Sequence, residues 1–428
     1  MYIHEQGNWP NFRWNDKDIA LLLDEVTREQ GKLYGRLSGF GFENQLQATA
    51  ENMTRDVVTS SEIEGISLNA EEVRSSIARR LGIEDVKHTA YSHYIDGIVA
   101  VTIEAIENFA EPLTKEKLCA WQSAFFPIGY SEGIQIEVGQ YRTHEEHIVS
   151  GFMGREKIHY IAPAPDRIED EMIQFFDWFN APKNLSPIIC SAIAHFWFVS
   201  IHPFEDGNGR LARIVGDIYL ARGDKSHFRF YNISSEINRD KNNYYEVLEQ
   251  AQHGNGDITG WLVWYLQTLL RAIKEANTMV STVLNKSIFW LHNGNIPMSK
   301  RQTDTINLFL DGYEAKITSK KWAELNKCSK DTANRDIQDL VDKGILVTDI
   351  PGAKRPSYSI CHGQDSSNIL SQFSDIKIEE EDKSSVLTAI FQGMSIRERI
   401  HKLDAERFRN GDLPLNHLLE KYLSYLIK

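Results

Sequence analysis

Apolar residues recur at intervals of three and four over Asp16 to Gln30, Glu43 to Val58, Ala70 to Leu81, Ser92 to Asn108, Arg167 to Asn180 and Pro187 to Val199. That spacing gathers side chains on one face of an α-helix, so the first two thirds of the chain is predicted to be mainly α. Two short β-prone runs interrupt it, Ile148 to Phe152 and Lys157 to Ile161, set around Gly151 and Gly154 and followed by Pro163 and Pro165. Strand-favouring residues bracketing glycines predict a β-hairpin inside a helical protein. Such a hairpin offers an edge on which another chain's extended segment can pair through its backbone, although an ordinary surface hairpin carries the same pattern.

The pattern loosens into polar, Gly and Pro residues at His292 to Pro297, which predicts a domain boundary. Beyond it, Lys320 to Asn326, a turn at Lys327 and Cys328, Ser329 to Lys343, Gly344, Ile345 to Ile350 and Ser357 to Ile360 give helix, turn, helix and a two-stranded wing. This unit resembles a winged helix, a fold that serves both DNA readers and protein docking units. Ser329 is placed to cap the second helix, and Lys330 and Arg335 to face a groove, but Asp331, Asp336, Asp339 and Asp342 nearly cancel that charge. DNA is disfavoured as a partner on this count. The expected division is 1–95, an N-terminal helical segment; 96–292, a helical domain with the hairpin; 298–361, the winged-helix-like α+β domain; and 362–428, acidic at first and ending in amphipathic helix.

Length and composition narrow the class. At 428 residues the chain exceeds one hydrophobic core, and 42% hydrophobic with 25% charged residues describes a globular protein. The apolar runs at Ala192 to Ile201 and Trp261 to Leu270 stop well short of the roughly 20 residues that a bilayer crossing needs, so no membrane partner is expected. The start, Met1 to Phe12, lacks a basic region followed by an apolar stretch, which makes the cytoplasm the expected location. Cys119, Cys190, Cys328 and Cys361 are far apart and suit structural thiols. A formal net charge of -13 opposes attraction to phosphate backbones outside a local basic face.

The candidate chemistry sits in one segment, Ile201-His202-Pro203-Phe204-Glu205-Asp206-Gly207-Asn208-Gly209-Arg210-Leu211-Ala212-Arg213, between an apolar helix and the helical run Leu211 to Ala221. Gly207 and Gly209 free the backbone to turn successive N–H groups inward, and the helix start adds its own unpaired donors and positive dipole end. Together they form an anion cradle. Arg210 and Arg213, three apart, can both face its occupant, which suits a polyphosphate better than a single carboxylate. Asp206 can hold Mg²⁺ with phosphate oxygens, and His202 can take a proton near neutral pH from an attacking hydroxyl. Pro203 restricts its predecessor, and Phe204 anchors the loop in the core.

The segment matches HPFx[DE]GNGRxxR at every defined position, and the chain thereby resembles the Fic (Fic/Doc) family over about residues 40 to 270. The resemblance implies an all-α catalytic core with a β-hairpin flap, Mg-ATP as co-substrate, and adenylylation of Ser, Thr or Tyr hydroxyls with pyrophosphate leaving. It implies that His202 deprotonates the target hydroxyl, Asp206 binds Mg²⁺, Asn208 and neighbouring N–H groups hold the α-phosphate, and Arg210 and Arg213 take the β- and γ-phosphates. The flap maps onto Ile148 to Ile161, the docking place for the target protein, and Gly139-Gln140-Tyr141-Arg142 before it is also similar to the family. Tyr244 and Tyr245, followed by Gly256-Asp257, resemble the segment near the adenine pocket. The leading segment resembles the N-terminal domain of some bacterial Fic proteins. A homodimer and self-modification are further expectations from the resemblance.

Upstream, Ser60-Ser61-Glu62-Ile63-Glu64-Gly65 resembles the inhibitory motif [ST]xxxE[GN] of regulated Fic proteins. Ser60 and Glu64 share a helix face, and an arginine beside the cradle is a fitting partner for the carboxylate; Gly65 followed by Ser67 to Glu72 also serves simply to end one helix and cap the next. The resemblance implies that Glu64 pairs with Arg213 and keeps the γ-phosphate from seating. Two other functions stay open: the same site run backwards, with Glu64 orienting water to remove AMP, and a non-enzymatic winged-helix regulator that senses nucleotide. An intact His202 speaks against the last. His144, His147 and His159 near the flap and His195 before His202 lack a further ligand at metal spacing, so His195 is expected to be a packing residue. The runs Phe175 to Phe179 and Trp261 to Tyr265 are expected to be core.

Overall fold

Helices form where the three-to-four spacing predicts them. The computed structural model describes residues 1–361 apart from 38–41, 84–91, 132, 151–156, 182–183, 314, 351–352 and 354–355. The hairpin tip and the expected C-terminal extension, 362–428, lie outside the described residues. Helices α1 (Asp16–Leu37), α2 (Phe42–Ile63), α3 (Ala70–Leu81), α4 (His93–Glu107) and α5 (Lys115–Phe125) come first. The small ladder of β1 (Tyr130–Ser131) with β2 (Ile134–Gln135) follows, then the hairpin of β3 (His147–Ser150) with β4 (Lys157–Ile161). Next come α6 (Ile168–Asn180), α7 (Pro187–Ile201), α8 (Asn208–Asp224), α9 (Ile233–Arg239), α10 (Lys241–Gln252) and the long α11 (Thr259–Asn293). The mainly α class with one substantial hairpin is as expected; the β1–β2 ladder, only two residues per strand, was too short to leave a pattern.

Chain contacts define two units, Met1–Leu33 with Phe42–Ala276, and Tyr34–Gly41 with Asn277–Lys428. The division falls inside α11, upstream of the loosened pattern at 292–297, because the helix runs unbroken past the core it begins in. The first unit is built around α7. Ser186 caps its start, Pro187 occupies the position where a missing N–H costs nothing, and Ile188 through Ile201 are buried on every face. Helix α8 packs along it, sewn by the Ser191 hydroxyl donating to the Gly216 carbonyl at 2.6 Å. Helix α2 lies against α3, α9, α4 and α8, which brings its C-terminal end beside the start of α8. The N-terminal residues are tied down too: Trp9 donates to Glu171 at 2.6 Å, His4 pairs with the Tyr160 hydroxyl at 3.0 Å, and Arg13 exchanges backbone bonds with Gly256 and Ile258. Among the described residues no helix is long and apolar enough to cross a membrane, and all four cysteines are free thiols.

The second unit contains α12 (Lys300–Leu310), α13 (Ser319–Leu325), α14 (Lys330–Asp342), β5 (Leu346–Thr348) and β6 (Tyr358–Ile360). Helix, turn, helix and antiparallel two-stranded ladder follow in the order expected, and Ser329 caps α14 by accepting from the Thr332 N–H. Its core gathers Ile306, Ile317, Trp322, Ala333, Ile337 and Leu340. The charge balance on α14 differs from the sequence count. Asp336 is held by Arg301 at 2.7 Å and by the Trp322 indole, while Asp339 takes Gln302 and Lys343, so neither opposes Lys330 and Arg335 on the exposed side. The count treated every acid in the segment as facing outward, and the helix turns two of them sideways. Trp322→Ala removes a fully buried ring and its bond to Asp336, and should lower the stability of this unit by about 3–5 kcal/mol, read from urea unfolding followed by far-UV circular dichroism.

Candidate active site

The chain reverses between α7 and α8 over His202 to Gly207, and the reversal has a left-handed residue at each end: His202 at φ 53° and Gly207 at φ 91°. Glycine enters that region freely; a histidine is held there only by its surroundings. Phe204 is sealed in the core, as expected. The Asn208 amide clasps its backbone, accepting from the Phe204 N–H at 3.0 Å and donating to the Phe204 carbonyl at 2.7 Å. Asn208 therefore braces the loop. Gly207 stands at the cap of α8 and has no side chain with which to accept from its first N–H groups.

The His202 Nδ1 lies 3.2 Å from the Val199 carbonyl. A carbonyl only accepts, so Nδ1 carries the hydrogen and Nε2 presents the lone pair, the tautomer a general base requires. Its pKa is lowered to about 4, chiefly by burial and in part by Arg142, against the opposing pull of the Val199 bond, Asp206 and Glu64. The imidazole is therefore neutral at physiological pH. Asp206 accepts from the Gly207 N–H on one oxygen and from the Ser131 hydroxyl on the other. Gln122, fully buried, accepts from the Gly139 N–H at 2.6 Å and donates to the Asp206 carbonyl at 3.4 Å, tying α5 to the loop.

Arg213 and Glu64 meet. The Arg213 Nη2 lies 2.7 Å from the Glu64 carboxylate and 2.8 Å from the Ser60 carbonyl, and its Nε donates to the Ser60 hydroxyl at 2.8 Å. Burial works against the charge on Arg213, but Glu64, Tyr244 and Tyr245 outweigh it and hold its pKa above the usual arginine value. The same carboxylate lies over Gly209, where any Cβ would collide with it. The side chain at the start of α8 is thus an anion from the turn that follows α2. Arg210 points elsewhere: its guanidinium stacks on Phe125 and Phe126 at 4.7 and 4.9 Å and reaches the Tyr94 hydroxyl at 3.2 Å. The two arginines take different bonding partners, although both border one small cavity with Ser60 and Phe125.

Glu64, His202, Gly209, Tyr245 and the hairpin residues Ile148 and His159 line a cavity of about 690 Å³, a volume typical of a small-molecule site. Tyr244 also borders it, yet is buried and bonded through its hydroxyl to His195 at 3.0 Å. Burial lowers the His195 pKa to about 3, as befits the packing residue expected from the sequence. The exposed Tyr245 reaches the Ile63 carbonyl at 3.4 Å. His159 is taken up by Glu249 at 2.6 Å and by Ser150. Among the described residues Glu137, His144 and Glu205 place one ligand-type atom each within 4.8 Å of one another, a grouping that the histidine spacing did not suggest. Ser131, Gln122 and the N-terminal His4 went unnoticed in the sequence, since each acts through bonds to residues remote in the chain.

Residues 112–220 match the family model described as Fic/DOC family, and residues 2–83 match one described as a domain of unknown function (DUF4172). The chain is 25% identical over 239 residues to "Protein adenylyltransferase Fic" of Nematostella vectensis, covering 55% of this chain and 51% of that one. It is 31% identical over 117 residues to the protein of the same name from Culex quinquefasciatus, covering 26% of this chain and 22% of that one. The chain spans about half the length, or less, of these relatives. A solved structure of a Fic family protein from Desulfovibrio desulfuricans has 22% identity and a TM-score of 0.46, covering 80% of this chain and 95% of its own.

The lowered pKa has a direct readout. In the resting protein the His202 imidazole should titrate with a midpoint near 4 rather than near the ordinary 6.5, staying neutral as the pH falls through 6; ¹⁵N-histidine NMR checks it.

Proposed function

Residues 112–220 belong to the Fic/DOC family, and from that premise we propose that the protein transfers the AMP part of ATP to a Ser, Thr or Tyr hydroxyl of a protein, a target chain or itself. The observation that carries the reading is the His202 tautomer: Nδ1 is committed to Val199, and the residue lines one cavity with Gly209 at the uncapped start of α8. In the reaction the target oxygen attacks the α-phosphorus, its proton passes to Nε2 of His202, and the bond to the bridging oxygen breaks so that pyrophosphate leaves. The N–H groups at the start of α8 face the charge that develops on the phosphate oxygens. The names of the relatives, protein adenylyltransferase Fic, agree with this.

Asp206 fits a magnesium ion. It is a hard oxygen donor beside the cradle, each oxygen is engaged by one donor only, and magnesium in nucleotide sites needs one or two carboxylates with phosphates completing its shell. When bound, the ion offsets the charge of the phosphates. The hairpin supports target docking through its backbone, with Val149 and Ile158 each 46% exposed on it.

Glu64 supports an autoinhibited resting state. Its carboxylate lies over Gly209 and engages Arg213, so a polyphosphate tail competes with it for both. The reverse reaction has one observation in its favour: Glu64 borders the cavity beside His202 with its side chain 29% exposed, within reach of a water.

ATP labelled at the α- or the γ-phosphate separates these readings. Label should be retained on protein from the α position only, and His202→Ala should reduce it by about 10² to 10⁴-fold. Glu64→Gly should raise incorporation by about 5 to 150-fold, the range of a coupling of a few kcal/mol. Retained γ label would instead mean kinase-like transfer, and loss of AMP from a pre-modified target that stops on Glu64→Gly would favour the reverse direction.

A further inference from the structure

Arg142 is only 2% exposed, yet among the described residues no carboxylate is bonded to it. Its side chain spends its donors on three main-chain carbonyls: Nε on His202 at 2.8 Å, Nη1 on His144 at 2.7 Å and Nη2 on Pro163 at 2.6 Å. Its backbone N–H adds a fourth bond, to the Pro203 carbonyl at 3.0 Å. A buried cation without a bonded counter-ion is expensive, so what these carbonyls have in common is informative. His144 leads into β3, Pro163 follows β4, and His202 is the left-handed residue that ends α7. One planar group registers both legs of the hairpin against the backbone of the residue that carries the imidazole.

His202 needs such support. Its φ of 53° and ψ of 57° cost a non-glycine residue about 1–3 kcal/mol unless neighbours hold it. Its N–H is held by the Phe198 carbonyl at 3.1 Å, and its carbonyl is held by Arg142. A second tie runs beside the first: Tyr160, on β4, donates its hydroxyl to the Ser200 carbonyl at 2.9 Å, two residues before His202. We propose that Arg142 is the positioning residue of the site, fixing the His202 backbone and the hairpin in one frame so that a hydroxyl on a target paired with the hairpin arrives at the imidazole. The inference rests on the transfer reaction proposed above. It also explains why the group is an arginine. A lysine carries the charge, but one ammonium cannot reach carbonyls that lie on three sides of a guanidinium plane.

Geometry and charge come apart in two variants, both made in the Glu64→Gly protein. Arg142→Lys should lower kcat by about 10²-fold, the cost of a misplaced reactive group, with the KM for Mg-ATP held within about threefold. The His202 midpoint should stay low in this variant, because burial persists and a cation remains to oppose the pull of Asp206. Arg142→Met should lose kcat equally and move that midpoint up toward the ordinary 6.5, and in both variants the hairpin amides should exchange faster with solvent. Retention of kcat within about threefold in both would overturn the proposal, as would Mg-ATP KM rising in step with the loss of kcat, or unchanged exchange of the hairpin amides in both. Should the Glu64→Gly parent transfer no label, the transfer reading fails on its own account, and the midpoint and hairpin exchange still decide whether Arg142 frames the two segments.

Discussion

The structure depends on a tight reversal between two helices packed side by side, the first of them among the most deeply buried segments of the chain. Helix α7 is apolar on every face and belongs at the centre of its unit. Its partner α8 must begin close to where α7 ends, and the intervening residues can make that return only with left-handed conformations at His202 and Gly207. The same return puts a glycine at the cap of α8, with no side chain to offer its first N–H groups, and sets the imidazole on the same cavity as Gly209. The geometry that packing demands also places an imidazole and the start of a helix on one cavity.

Much of this was legible in the sequence, and the reasons are local. Gly207 and Pro203 announce a tight turn because their preferences are properties of the backbone within a few residues. The helix-turn-helix and its wing followed from spacing alone. Contacts between remote segments were different. The side chain of Arg210 looked, from its three-residue offset, like a partner of Arg213, but two adjacent phenylalanines from α5 offered its guanidinium a cation–π seat that helical phase cannot reveal. The expectation for Asn208 was phosphate contact, and its side-chain amide also braces the loop through the Phe204 backbone, a contact that the sequence does not show. Asp336 and Asp339 were counted as surface charge because sequence does not say which acids a neighbouring helix will recruit.

The N-terminal residues show the same limit. Met1 to Phe12 has no periodicity, yet Tyr2 and His4 lie against Tyr160 with ring centroids 5.2 and 5.7 Å apart, and Trp9 bonds Glu171 on α6. A stretch with no helical or strand signature is thereby part of the wall behind the hairpin. Its aromatic content was the one clue, since aromatic rings in an irregular segment need an apolar surface to lie on.

The contact between Glu64 and Arg213 joins residues 149 positions apart within one chain, so the carboxylate cannot diffuse away when it lets go. A tethered competitor of this kind acts at a fixed local concentration that dilution does not lower. If an incoming nucleotide needs the same arginine, the affinity it displays is its intrinsic affinity scaled by the fraction of molecules whose carboxylate has swung clear. Sensitivity to nucleotide supply would then be set by how firmly α2 is seated, leaving the residues that touch the nucleotide unchanged.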